Sequence, residues 1–263
     1  MSANELYLEP MTAGMILDRT FRLYIRNFAL MIGVTALVQL PLLSITVLAP
    51  LLRESSFVLG VLASFVWFFT FLISFLILTP LVTGAATKAI SERYLGNDIT
   101  VGAALKFSWG YVWTLLLIQV VVGIIVTVGS LLLVIPGVFL WLSYILVVPV
   151  TVLENIKDGD RVRRRSWDLV TDHRWKVFAV VVVLIVPQFV LSLTGPLYLE
   201  YVFGAESALG EVMGGLLSGL LSLLLFPLQS IAITLLYYDL RIRKEGFDLE
   251  MLSREIAGPE TLA

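Results

Sequence analysis

Long apolar runs, separated by short polar stretches, organise the whole chain. Runs of about 20 apolar residues match the thickness of a bilayer's hydrocarbon core, and six such segments can be drawn. The first covers 28–52, is interrupted by Pro41, and ends at Pro50 and the polar residues 53–56. The second, 57–90, is too long for one crossing at about 1.5 Å per residue, so its end is expected to project into water. The third covers 109–134 and stops at Pro136 and Gly137; the fourth covers 138–155, the fifth 174–195 and the sixth 209–244. A lower count follows if "LLLVIPGVFL", 131–140, is re-entrant rather than a tight turn. The expected fold is all-α and polytopic, a bundle of about six transmembrane helices.

The polar stretches between the runs differ in form. Three of them open with a few polar residues, continue as an amphipathic stretch and lead into an odd-numbered run. They are "MTAGMILDRTFRLYIRNF", "NDITVGAALKFSWGYVW" and "KDGDRVRRRSWDLVTDHRWK". Helical spacing places Ile16, Thr20, Leu23 and Phe28 near one face of the first. It places Val162, Ser166, Trp167, Leu169 and Val170 together on the third, with arginines opposite. Helices of this kind lie in the headgroup layer.

Charge sets the orientation. With the N-terminus placed inside, seventeen of the eighteen basic residues fall in inside segments, and only Arg53 lies outside. The outer loops hold Glu54, Glu200, Glu206 and Glu211 instead. By the positive-inside rule this predicts a multi-pass protein with both termini in the cytoplasm. The start of the chain has no basic segment followed by a short apolar core and a small-residue cleavage site, so no cleavable signal is expected.

Composition narrows the function classes. The 263 residues are 59% hydrophobic and 14% charged, against about 25% charged in an ordinary soluble domain; mean hydropathy is +0.95. A net charge of -2 gives no global field for nucleic acid. The absence of cysteine removes disulfides, thiolate metal sites and cysteine nucleophiles. A single histidine, His173, disfavours an imidazole metal site. No metal and no cofactor are expected.

A repeat also emerges. The second run ends "RYLGNDI", 93–99, and the sixth ends "RKEGFDL", 243–249; both read base-x-x-Gly-x-Asp-aliphatic. "KDGD", after the fourth run, is a weaker echo. Glycine accepts the left-handed residue that ends a helix, and aspartate caps the start of the next. Each even-numbered run has an internal proline: Pro80, Pro149 and Pro227. Three parallel units are expected at 11–95, 98–156 and 157–246, within one membrane domain and followed by a short cytoplasmic tail, 247–263.

The segments "MTAGMILDRTFRLYIRNF", "IPGVFLWLSYILVVPVTVLE" and "TLLYYDLRIRKEGFDLE" resemble bacterial six-span proteins of the glycerophosphoryl diester phosphodiesterase membrane-domain family, over residues 8 to 252. The resemblance implies the fold and a location in the bacterial cytoplasmic (inner) membrane. The activity in the family name belongs to proteins in which a catalytic barrel follows the membrane part. This sequence lacks the histidine and clustered acids that a metal-dependent phosphodiesterase needs, so the resemblance is not expected to carry that activity.

The candidate site residues are of two kinds. The first is a basic and aromatic rim: Arg161, Arg163, Arg164, Arg165, Trp167, Arg174, Trp175, Arg241, Arg243 and Lys244. It reads as a topogenic, solvated face or as a surface for anionic lipid headgroups. Tyr237 and Tyr238 are expected to mark the membrane interface. The second kind is four intramembrane glutamines: Gln39, Gln119, Gln188 and Gln229. They read as interhelical hydrogen bonds or as the lining of a polar path. Asp, Glu, Lys, Arg and His are missing from the middle of every run, which disfavours ion-coupled transport. Ser166, His173 and the nearby aspartates could be drawn as a triad, but no strained nucleophile turn accompanies them; His173 reads as a solvated interfacial residue. Gly210, Gly214, Gly215 and Gly219 read as helix packing or as a dimer face.

The expected function is therefore non-enzymatic: an accessory or scaffold protein that engages anionic lipids or a membrane partner protein, with a homo-oligomer as one form of partner. The alternatives are a channel or lipid/solute transporter and, resting on the family name, an enzyme of phospholipid metabolism.

Overall fold

The computed structural model describes residues 9–204 and 208–246, and over that range it is all-α. Expectations for Glu206 and for the tail 247–263, including Asp248 as a helix cap, lie outside the described residues. Helix α1 spans Ala13–Arg26, α2 Phe28–Ser55 and α3 Phe57–Ile73. A π-helical turn, Ser74–Leu78, leads into α4, Thr79–Tyr94. Then come α5 (Val101–Trp109), α6 (Val112–Leu132), α7 (Val134–Ser143), α8 (Val147–Leu153) and α9 (Gly159–Val170). A short 3-10 turn, Thr171–His173, precedes α10, Arg174–Phe203; α11 spans Ala208–Glu245. Six of the resulting helical segments are long and apolar enough to cross a membrane, as the hydrophobic pattern predicts.

Backbone chemistry explains the breaks. Pro80, near the start of α4, has no N–H to offer the preceding turn, and the helix widens to a π turn there. Between α6 and α7 only Leu133 is extended (φ -162, ψ 145), so residues 131–140 form a tight hairpin. A Cβ added to Gly137 would lie 2.7 Å from the Ser130 Cα, which is why this turn needs glycine. Between α7 and α8 the break at 144–146 lies one turn before Pro149, whose ring opposes a helical carbonyl four residues earlier. The Ser166 hydroxyl repairs that break. It donates to the Ser143 carbonyl at 2.9 Å and accepts from the Leu146 N–H at 3.2 Å. Ser166 is thus a structural cap rather than a member of a triad.

Three sites where an even-numbered crossing ends share one conformation. Gly96 (φ 85), Asn155 (φ 53) and Gly246 (φ 61) all have positive φ. The two glycines are those of the base-x-x-Gly-x-Asp motif. Asn155 takes the same role in the middle unit, while Gly159 of the "KDGD" echo lies instead in the first turn of α9; asparagine tolerates this region better than most side chains. The helices that follow also match in register. α1, α5 and α9 are capped by Thr12, Thr100 and Asp158, whose side chains accept N–H groups of their first turns. Four residues beyond each cap stand Ile16, Ala104 and Val162. Eight beyond stand Thr20, Ser108 and Ser166. All six are fully buried. Asp98, expected to cap α5, pairs with Arg93 instead, and Thr100 has the position that reaches the first-turn N–H.

The best-packed region lies where these short helices meet the ends of α4, α8 and α11. Ile16, Ala85, Ala89, Leu146, Val150, Val177, Val180, Leu235 and Leu240 pack together there. We call this the charged end of the bundle. At the opposite end large apolar side chains face outward, among them Phe57, Leu131, Ile135 and Tyr201. In a membrane those faces meet lipid at no hydrophobic cost. α10 and α11, with 30 and 38 residues, extend roughly 45 and 57 Å at 1.5 Å per residue, beyond a core of about 30 Å. Their charged ends therefore project past it. α11 lies close against α2, where Gly215 and Gly219 meet Thr46 and Leu43. Those two glycines serve packing within the bundle.

Candidate functional site

The charged end is held by two ionic assemblies that draw on all three units. Asp239, in α11, is fully buried. Its carboxylate accepts the Met11 N–H at 2.7 Å and the Arg243 Nε at 3.2 Å, and it pairs with Lys176 Nζ from α10. Arg243 and Lys176 both also donate to the Met11 carbonyl. The main chain just before α1 is thus clamped at its amide and its carbonyl by one acid and two bases. Arg243 at i,i+4 and Lys176 from another crossing both contact Asp239.

The second assembly is a closed ring. Glu154, which ends α8, receives Arg165 Nε on both oxygens at 3.0 Å and the Tyr237 hydroxyl at 3.1 Å. Arg165 also pairs with Glu245. Glu245 accepts from Arg241 Nε at 3.1 Å, and Arg241 donates to the Tyr237 hydroxyl at 3.1 Å, which closes the circuit. Tyr238 lies beside it, with its hydroxyl 2.6 Å from that of Ser91. Tyr237 and Tyr238 are 0% and 4% exposed. They are core residues, not interface markers, because partners from distant parts of the chain satisfy their hydroxyls.

The predicted rim is consequently divided. Arg165, Arg241 and Arg243 are engaged in the two assemblies. Lys244 pairs with Asp172 at 2.7 Å and donates to the Asp168 carbonyl. Arg174 stacks over Phe139 and Trp167, at 4.2 and 5.0 Å from the ring centres, and donates to the Thr171 carbonyl at 3.1 Å. These five cations serve the fold. The neutralising acids and aromatic rings come from other elements, so the ten residues do not form one surface. Arg161 and Arg164 face outward from α9. Neither forms an ion pair among the described residues. Arg163 pairs with Asp160. Trp175 is 84% exposed, with its ring set edge-on to Phe178.

A cavity of about 360 Å³ opens at this corner, lined by Tyr144, Asp160, Arg163, Arg164, Trp167 and Asp168. Trp167 is fixed by ring contacts to Phe139 and Tyr144, at 5.6 and 5.8 Å. The sequence points to Arg163, Arg164 and Trp167 for this surface and brings in Asp168 only as a neighbour of His173; Tyr144 and Asp160 go unnamed. The aspartates disappear in a run dominated by arginine, and Tyr144 comes from another element.

Three of the four glutamines bridge helices. Gln229 in α11 donates to Gln188 in α10, and Gln119 in α6 donates to Thr83 in α4 at 3.3 Å. Gln39 borders a void of about 20 Å³, between α2, α4 and α11, enough for a single water. Among the described residues no group of three His, Asp or Glu side chains could hold a metal ion. No family model, curated protein or solved structure matches the chain.

Proposed function

We propose that this is a non-enzymatic accessory protein of the bacterial inner membrane that holds phospholipids by their anionic phosphates. The observation that carries this reading is the α7–α9 corner. There Arg164 remains open beside Trp167 and Tyr144 in a cavity at the charged end. Arg161 adds a second cation on the same helix with no ion-pair partner among the described residues. Basic side chains at an anionic surface contribute about 1 kcal/mol each. The pair would therefore strengthen lipid retention roughly thirtyfold. The resemblance of the three sequence motifs to the glycerophosphoryl diester phosphodiesterase membrane-domain family supports the location, and the lack of the histidine and clustered acids of a metal-dependent phosphodiesterase supports a role without hydrolysis.

The test is native mass spectrometry of the purified protein with retained phospholipid. Arg161→Gln with Arg164→Gln is expected to lower retention on the order of thirtyfold with unchanged thermal stability. Lipid retention equal to that of the unchanged protein would overturn the reading.

The charged end is proposed to face the cytoplasm, since basic residues concentrate there. The natural sequence is free of cysteine, so single cysteines report topology directly. Tyr201→Cys should react with a membrane-impermeant maleimide in intact spheroplasts, and Lys157→Cys only after lysis. The reverse pattern would invert the orientation.

A further inference from the structure

Arg164 and Asp168 stand one helical turn apart on α9, a spacing at which opposite charges normally pair. Here they do not. Among the described residues the Asp168 carboxylate has no cationic partner; Lys244 takes its backbone carbonyl and pairs with Asp172 instead. Arg164 has no acid. Two open charges of opposite sign therefore line the same cavity. The other ionised lining residues, Asp160 and Arg163, already neutralise each other. The lining as a whole is electrically balanced.

A ligand with only negative charge would satisfy Arg164 and meet Asp168 with repulsion. A ligand carrying a phosphate and an ammonium would satisfy both. We propose that this cavity is the receptor for a phospholipid headgroup bearing a primary amine, with its phosphate on Arg164 and its ammonium on Asp168. The inference rests on the lipid-holding reading above and names the headgroup. Trp167 and Tyr144 line the cavity beside the two charges, and Trp167 is held in place by Phe139 and Tyr144. A primary ammonium donates three hydrogen bonds to a carboxylate or to water, whereas a quaternary one donates none. The volume, about 360 Å³, is at the lower end of ligand pockets, which suits a headgroup and not a whole lipid.

The rest of the lipid has a place as well. α7 runs from the cavity toward the opposite end and presents Phe139, Val138 and Ile135 outward, the last 83% exposed. Phe139 also touches Trp167. The polar cavity and the apolar strip are therefore continuous through one ring contact, in the order of headgroup and acyl chain.

The full-length protein, equilibrated in mixed micelles with equal amounts of phosphatidylethanolamine, phosphatidylglycerol and phosphatidylcholine of one acyl composition, should retain the ethanolamine lipid preferentially in native mass spectra. Asp168→Asn should cut that retention about tenfold, the effect of one charge-assisted hydrogen bond, and leave the glycerol lipid unchanged or enriched. Asp168→Glu should keep the preference. Equal or stronger retention of phosphatidylglycerol by the unchanged protein would overturn the inference, as would an ethanolamine preference that survives Asp168→Asn. Retention of no phospholipid at all would sink the lipid-holding reading itself.

Discussion

Replacing Asp239 by alanine is expected to cost about 3–5 kcal/mol, the range for removing one member of a buried ion pair. Little folded protein should then survive detergent extraction. The reason lies in what stays behind. Lys176 and Arg243 keep their charges, with side chains only 15% and 30% exposed, and the Met11 N–H loses its acceptor at 2.7 Å. Arg243→Ala should be milder, about 1 kcal/mol, because Lys176 still neutralises Asp239 and the arginine head is partly wet. A double-mutant cycle separates the clamp from simple loss of packing. Lys176→Met removes one stranded cation, so Asp239→Ala combined with Lys176→Met should unfold at a higher temperature than Asp239→Ala alone. Strict additivity of the two changes would refute the clamp.

The sequence already carries the crossings, because a bilayer demands long apolar runs and the chain supplies them. Gly96 and Gly246 are legible for a similar reason: a helix end with positive φ strongly favours glycine. Asn155 belongs to the same set but was hidden, since asparagine also occurs in ordinary loops. The register of buried hydroxyls, Thr20, Ser108 and Ser166, was visible only in fragments, because small polar residues have no fixed meaning without burial. The charged end was the least legible part. Tyr237 and Tyr238 stand between an apolar run and a basic one, which is also the signature of a membrane interface. Their partners Glu154 and Ser91 lie 83 and 147 residues away, and nothing local announces them. The arginine run misleads in the same way. Arg165 looks like its neighbours Arg163 and Arg164 until Glu154 and Glu245 are brought to it by α8 and α11. What distinguishes an open cation from a structural one is the position of distant acids.

That distinction makes Glu154 the second decisive position. Glu154→Ala is expected to cost about 3 kcal/mol, near the lower bound for breaking a buried ionic pair. The carboxylate side chain is 14% exposed, so water can compensate part of the loss, unlike at Asp239. Its removal opens the ring at the point where two donors converge: Arg165 loses a bidentate acceptor and the Tyr237 hydroxyl loses its acceptor in the core. Glu154→Gln keeps one oxygen for the tyrosine and forfeits the charge, so its cost should be intermediate. Glu245→Ala should cost least, because that side chain is 29% exposed and Arg165 keeps both oxygens of Glu154. Thermal unfolding in detergent should therefore rank the variants Glu154→Ala, Glu154→Gln, Glu245→Ala, from least to most stable. Equal midpoints for Glu154→Ala and Glu245→Ala would show that the ring does not act as a unit. Because Arg161 and Arg164 lie outside the ring, lipid retention per folded molecule should stay constant across this series. A loss of lipid that follows the loss of stability would instead place the ring in the lipid site.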